Sequence, residues 1–284
     1  MLVTELIQRS SSVAKSKECV SYLECELLLA HVLNISRERL FVSYQERLSS
    51  HVIQKFYRFF HRLQQGEPLA YLLGEKQFYG LDFYVDRRVL IPRPETELLV
   101  DEILKFSFKS GFHIVDVGTG SGNIAISLAF NLRQKFDNFR ITALDVCFDA
   151  LKVCEKNIHR FQLSDKVFPL QNNLLEGLER ESFDIIVANL PYIGTEIYSF
   201  VSQSTYEYEP NRALFGGKDG LFYYRELFSQ IVGKRHQPRF LIGEIGSTQG
   251  FDILRELYAF FPFSDIFLRQ DLSGFDRMFI VKFL

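Results

Sequence analysis

The sequence predicts an α/β protein: a mostly parallel sheet covered on both faces, with an antiparallel last strand and a small all-helical region ahead of it. Two observations carry the sheet. Five apolar, β-branched runs, "FHIVDVG", "FRITALDV", "KVFPLQN", "FDIIVANL" and "RFLIGEI", are separated mostly by helical patterns such as "NIAISLAFNLRQKF" and "CFDALKVCEKNIHRF". Strands that are apolar on both faces and alternate with helices read as parallel. The terminal stretch "FSDIFLRQDLSGFDRMFIVKFL" holds two more runs joined around Ser273-Gly274. That turn is too short for a crossover helix, so the last strand must run antiparallel.

A third observation, the absence of any strand pattern at the start, defines the rest. "SYLECELLLAHVL" places Leu23, Leu27, Leu28 and Val32 at helical spacing, and "HVIQKFYRFFHRLQQG" repeats that period until Gly66 ends it. Residues 1–73 are therefore expected to form a helical domain. In 74–94, "KQFYG" and "LDFYVDRRVLIP" are aromatic and β-branched around Gly80, which predicts a β-hairpin connector. "PRPETELLVDEILKFSF" returns to helix and opens a sheet domain spanning 95–284.

With 284 residues, 47% hydrophobic and 24% charged, the chain can bury one full core and a smaller second one. Thirty-five acidic residues against 33 basic ones leave a net charge of −2, without the positive field that captures nucleic acid. No run approaches the roughly 18 apolar residues of a membrane span, and "MLVTELIQRSSS" lacks the apolar core of a secretory signal. The expected location is the cytoplasm. Cys19, Cys25, Cys147 and Cys154 match no zinc spacing and read as buried thiols, and the histidines form no doublet, so no metal is expected.

Parallel sheets bind ligands at the carboxyl ends of their strands, and the distinctive residues lie there. After the first strand comes "DVGTGSG", with Gly118, Thr119, Gly120, Ser121 and Gly122 leading into a helix, where glycines admit close approach and the helix start offers N–H groups. Its spacing is not the GxGxxG of dinucleotide binding. Asp145 ends the second strand, 25 residues beyond Gly120, where a carboxylate can take both hydroxyls of a ribose. After the third strand, Asn172 and Asn173 could meet an adenine edge and Leu174 its face.

Together these features resemble the seven-stranded, Rossmann-like methyltransferases that use S-adenosylmethionine. In that superfamily an (Asn/Asp/Ser)-Pro-Pro-(Tyr/Phe) tetrad after the fourth strand marks enzymes acting on planar nitrogens. Here it is Asn189-Leu190-Pro191-Tyr192. A planar nitrogen delocalises its lone pair, so its N–H bonds must be held by acceptors that restore electron density and aim it at the methyl. The Asn189 carboxamide oxygen is one acceptor. The Leu190 carbonyl is the other, since Pro191 keeps Leu190 extended, and the Tyr192 ring offers a surface for the planar group.

Nearly end to end, the chain resembles the release-factor glutamine methyltransferases, the PrmC/HemK family. The likeness runs through "GEPLAYLLGEKQFYGLDFYVDRRVLIPRPETELLVD", "EPNRALFGGKDGLFYYREL", "GEIGSTQG" and "GFDRMFIV". It implies methylation of the glutamine side-chain amide in the Gly-Gly-Gln motif of bacterial class 1 peptide-release factors, with S-adenosylhomocysteine as by-product and a helical domain that helps hold the protein substrate. By position it assigns Gly118, Thr119, Gly120, Ser121, Gly122, Asp145, Leu174 and Asn189 to the cofactor, and Asn189, Leu190, Pro191 and Tyr192 to catalysis and the glutamine pocket. Two positions depart from the pattern: Leu190 stands where the family usually has Pro, and Asn173 where it usually has an acid. Asn-Leu-Pro-Tyr is the form seen in ribosomal RNA dimethyladenosine transferases, so an RNA adenine methyltransferase is the alternative. Because the acceptor at Leu190 is a backbone carbonyl, the change is expected to loosen the loop slightly and spare the chemistry. "RPETE" reads equally as part of the pocket or as a helix start, and "FGGKDG" as a surface loop.

Overall fold

The computed structural model describes residues 1–13, 20–197 and 200–284. They form two compact units, Met1–Glu75 with Ser202–Tyr208, and Lys76–Val201 with Glu209–Leu284.

The first unit is helical: α1 (Val3–Val13), α2 (Tyr22–Leu33), α3 (Arg37–Val42), α4 (Ser50–Gln64) and α5 (Leu69–Leu73). Ser21 and Glu24 close a reciprocal capping box that fixes where α2 starts. The buried stripe of α2 is Cys25, Leu28, Leu29 and Val32, packed with Leu6, Phe56 and Phe60. Leu23, expected inside, is 46% exposed. The helix is turned because Glu26 is also buried, where Arg37 and the Tyr44 hydroxyl bind its carboxylate. A later segment joins this unit. In α9 (Gln203–Tyr208) the Ser204 hydroxyl donates to the Gly66 carbonyl at 2.6 Å and Tyr208 to that of Gln65 at 3.0 Å. Sequence order alone places that helix in the 95–284 domain.

The second unit begins with a hairpin, β1 (Glu75–Phe78) and β2 (Leu81–Tyr84), turned by Tyr79 and Gly80, both at positive φ. It is more than a connector, because Phe78 and Phe83 are buried in the main core. The Asn157 carboxamide also bonds the Tyr84 N–H and carbonyl, at 2.8 and 3.0 Å.

Helix α6 (Glu97–Leu104) leads into a seven-stranded sheet of β3 (Phe112–Val117), β4 (Phe139–Asp145), β5 (Val167–Gln171), β6 (Ile185–Ala188), β7 (Phe240–Glu244), β8 (Asp265–Gln270) and β9 (Asp276–Lys282). Their order is β5-β4-β3-β6-β7-β9-β8. Strand β9 is antiparallel to both neighbours and the other pairings are parallel, as the short Ser273-Gly274 turn requires. Side chains alternate across the sheet. Ile114, Ile141 and Ile185 pack with α7 (Asn123–Leu132) on one face. Val115, Leu144 and Ile186 pack with α10 (Phe222–Val232) and α11 (Gly250–Phe260) on the other. Helix α8 (Phe148–Arg160) follows β4.

Among the described residues Cys25 and Cys154 are buried free thiols and Cys147 is half-buried. Burial pushes the Cys25 thiol up to about 12. Cys19 lies outside the described residues. No described helix is long and apolar enough to cross a membrane.

Candidate active site

The sheet changes direction at β3, with β4 on one side and β6 on the other, so a crevice opens where β3 and β6 end. Val117 pairs with Ala188, so Gly118 and Asn189 leave the sheet side by side. Gly118 has φ 77°, and a Cβ there would lie 3.2 Å from Leu190 Cδ2 and 3.6 Å from the Asn189 carbonyl. Only glycine takes that turn without strain.

The resulting cleft is lined by Gly118, Thr119, Gly120, Ser121, Asp145, Leu174, Asn189, Leu190 and Pro191. Two expected residues are not on its wall. Gly122 starts α7 at φ 81°, and a Cβ there would lie 2.8 Å from both Cys154 Sγ and Ile126 Cδ1, so its place is in the packing of α7 against α8. Tyr192 turns its hydroxyl to Glu244 Oε1 at 3.2 Å, and its carbonyl accepts from Gln249 Nε2 at 2.9 Å. Burial pushes the Tyr192 phenol up.

Asp145 is bound on both carboxylate oxygens: Gly120 N–H donates to Oδ2 at 2.9 Å and Cys147 N–H to Oδ1 at 2.8 Å. Burial raises its pKa, against the pull of those N–H groups and of Arg212. Each oxygen keeps a lone pair for a further donor. Leu174 adopts φ 52°. Asn172 spends its carboxamide on the carbonyls of Leu174 and Glu176 and Asn173 faces Glu176, so both asparagines shape the turn that presents Leu174.

The Leu190 side chain, expected to loosen the loop slightly, is buried in the core beside Gly118. Asn189 donates its amide to Thr96 Oγ1 at 3.1 Å, and both residues line the cleft. The carboxamide nitrogen is thus taken up by the protein.

Arg93 and Thr96 of "RPETE", left open between pocket and helix start, line the cleft, as do Arg88, Arg212 and Tyr223, to which the sequence gives no role. The signal was "RPETE" and "EPNRA", and one buried carboxylate ties them: Glu209 accepts from Arg93 at 2.5 Å and from the Ile91 N–H at 2.9 Å. "FGGKDG" lies behind the tetrad, where Gly216 N–H donates to the Ile193 carbonyl at 2.8 Å.

Asp116, which opens the "DVGTGSG" run, carries no assigned role in the sequence. It is fully buried: Oδ2 accepts from Thr119 at 2.6 Å and from the Ala125 N–H at 3.2 Å, and Oδ1 has no partner among the described residues. Burial pushes its pKa up to about 7. The folded state therefore keeps a proton that the unfolded chain releases near pH ~4. The stability this contributes is full below that value and lost as pH rises through about 7. Asp116→Asn keeps an oxygen for Thr119 and Ala125 and removes the charge. Its urea-unfolding midpoint is expected to fall less between pH 6 and 8, on either side of that pKa, than that of the unsubstituted protein. Equal slopes would disprove the assignment.

Among the described residues no three His, Cys, Asp or Glu side chains group to hold a metal ion.

Comparison with known proteins fits this geometry. A PrmC N-terminal domain model matches residues 7–74 and a methyltransferase small domain model residues 94–204. The chain is 34% identical over 259 residues to the release factor glutamine methyltransferase of Bacillus cereus, covering 89% of each chain. The chain belongs to the release factor glutamine methyltransferase family. A second member, from Dictyoglomus turgidum, is 36% identical over 264 residues, 91% of this chain and 90% of its own. Beyond the family, a crystal structure of the N-terminal domain of human METTL16 in complex with SAH shares the fold at TM-score 0.52 and 17% identity, covering 78% of this chain and 82% of that one.

Proposed function

We infer that the chain transfers a methyl group from S-adenosylmethionine to the side-chain amide nitrogen of the glutamine in the Gly-Gly-Gln motif of bacterial class 1 release factors, in the cytoplasm. The observation that carries this reading is the Asn189 amide held on Thr96 at the cleft wall. With its nitrogen committed to the protein, the carboxamide offers its oxygen as an acceptor.

The cleft fits the methyl donor. The Gly118–Ser121 turn gives close backbone approach, with open space above Gly120, and Asp145 has acceptor capacity left for a ribose diol. Bound there, S-adenosylmethionine supplies an electrophilic methyl group on a sulfonium. Leu174 packs on the adenine side. Asn189 Oδ1 and the Leu190 carbonyl accept the two N–H bonds of the glutamine amide, raise the electron density on its nitrogen and aim the lone pair. Pro191 keeps Leu190 extended, and Tyr192 braces the loop from behind through Glu244 and Gln249. Held this way, the nitrogen attacks the methyl as the methyl–sulfur bond breaks and S-adenosylhomocysteine leaves, and one of its two protons passes to solvent. Positioning of this kind is worth up to about 7–11 kcal/mol, so a strong base is not required. The helical unit holds the body of the release factor.

Ribosomal RNA is the weaker reading, since its one support was Leu190, whose side chain is packing in the core. Mass spectrometry of a release-factor digest after incubation with S-adenosylmethionine is expected to show one added methyl on the Gly-Gly-Gln glutamine. Labelling of ribosomal RNA with none on the release factor would overturn the reading.

Asp145→Ala is expected to weaken S-adenosylhomocysteine binding by roughly one to two decades, from losing charge-assisted hydrogen bonds of about 1.5–3 kcal/mol. Unchanged affinity by calorimetry would put the ribose elsewhere.

A further inference from the structure

Glu244 ends β7, the strand beside the one that delivers Asn189. It is 1% exposed, lines no part of the cleft, and has one oxygen, Oε2, without a hydrogen-bond partner among the described residues. A buried carboxylate left partly unsatisfied calls for an explanation. Its neighbours supply one. Oε1 accepts from the Tyr192 hydroxyl at 3.2 Å, and the Thr96 hydroxyl is the neighbour that most opposes the effect of burial on the carboxyl group. Thr96, 1% exposed, is also the group that receives the Asn189 amide.

We propose that Glu244 is a positioning residue that, through Thr96, decides which end of the Asn189 carboxamide faces the reacting nitrogen. This rests on the amide-methylating reading above. The two ends of a carboxamide have nearly the same shape, and only the hydrogen-bond partner distinguishes them. A hydroxyl has a single proton. With that proton turned to the open Oε2 of Glu244, Thr96 can only accept from Asn189, so Nδ2 turns to Thr96 and Oδ1 to the cleft. If Glu244 is removed, Thr96 can donate to Asn189 instead. The carboxamide can then flip and set its own N–H groups against those of the substrate.

The same relay makes the reaction pH-dependent. Burial pushes Glu244 up to about 7, with Glu95 adding to the rise and Arg277, Thr96 and Tyr192 opposing it. Arg277 from β9 is itself held by Asp271 at 3.0 Å, and Tyr192 is flanked by Arg93. From α10, Tyr224 donates to the Glu244 backbone carbonyl, leaving the carboxylate to the groups named. A protonated Glu244 is a donor as well as an acceptor and no longer fixes the direction of the Thr96 proton. Turnover is therefore full above pH 7 and lost as the pH falls through about 7.

The test is full-length protein with labelled S-adenosylmethionine and intact release factor, kcat and KM measured from pH 6 to 9, and S-adenosylhomocysteine affinity by calorimetry. Glu244→Ala is expected to lower kcat about 10- to 100-fold, the range of a misaimed nucleophile, with KM and S-adenosylhomocysteine affinity within about threefold. Glu244→Gln, which retains an acceptor oxygen, should recover part of kcat and lose the acid limb. Thr96→Val should fall as far as Glu244→Ala, Thr96→Ser should stay near the parent, and Thr96→Val with Glu244→Ala should be no worse than either alone. A Glu244→Gln enzyme that keeps the acid limb, or a double variant whose losses multiply, would overturn the proposal. If Glu244→Ala does not fold, the Thr96 pair and Glu244→Gln decide. A parent enzyme inactive on release factor but active on RNA would sink the substrate reading instead, and the same variants on that RNA would still judge Glu244.

Discussion

Asn189→Ala is expected to lower methyl transfer to release factor by about a hundredfold or more, the loss that follows when a reacting atom is misplaced by roughly an ångström. The side chain is the one polar group of the tetrad on the cleft wall, and its amide is anchored on Thr96 at 3.1 Å. Alanine removes the acceptor and leaves the Thr96 hydroxyl free to turn. The fold should tolerate the change, because the β6 strand and the Gly118 turn are held by backbone pairing and by Leu190. Affinity for S-adenosylhomocysteine should fall much less than kcat, since Asp145 and the glycine turn stay in place. A release factor carrying Gly-Gly-Asn should fail in parallel with the intact enzyme, because a side chain one methylene shorter holds its nitrogen out of line with the methyl. Near-normal turnover by Asn189→Ala in a single-turnover assay would mean that the acceptor is another group.

The sheet was legible because its strands are apolar on both faces and end in residues that no buried strand favours. Val117 and Ala188 are followed by Gly118 and Asn189, and Leu144 by Asp145. The periodic signal behind such runs is local, and so survives in one sequence. The partners of those strand ends were not legible. Thr96 meets Asn189 across 93 residues of chain, and Glu244 meets Tyr192 across 52; no spacing rule connects them. The same holds for α2, whose face was misread because Glu26, a charged residue, is turned inward by Arg37 and Tyr44. Gly122 looked like part of the cofactor turn because glycines required for packing and glycines required by a ligand are spelled alike. Its neighbour Cys154, on another helix, separates the two.

Gly220→Ala is expected to destabilise the protein by about 2–5 kcal/mol, combining the cost of a left-handed alanine with that of overpacking, and to abolish most activity with it. "FGGKDG" looks like a surface loop, but its backbone lies directly behind the tetrad. Gly220 has φ 79°, and a methyl group there would run into the Tyr192 carbonyl oxygen and the Gln249 side chain. Gln249 is fully buried and clamps three segments: its Oε1 takes the Gly246 N–H at 2.8 Å, and its Nε2 donates to the carbonyls of Tyr192 at 2.9 Å and Asp219 at 3.1 Å. None of these partners can move away alone, so the strain must pass along the chain to Pro191 and Leu190, whose carbonyl is the proposed second acceptor for the substrate amide. Gly274→Ala is the control. It has φ 81° in the β8–β9 turn with nothing within 4 Å of an added Cβ, so it should show only the left-handed penalty of about 1–2 kcal/mol and full activity. Urea unfolding and methyl transfer measured on both variants separate the two effects. Equal destabilisation of Gly220→Ala and Gly274→Ala, with activity intact in both, would mean that the loop behind the tetrad yields and does not set its geometry.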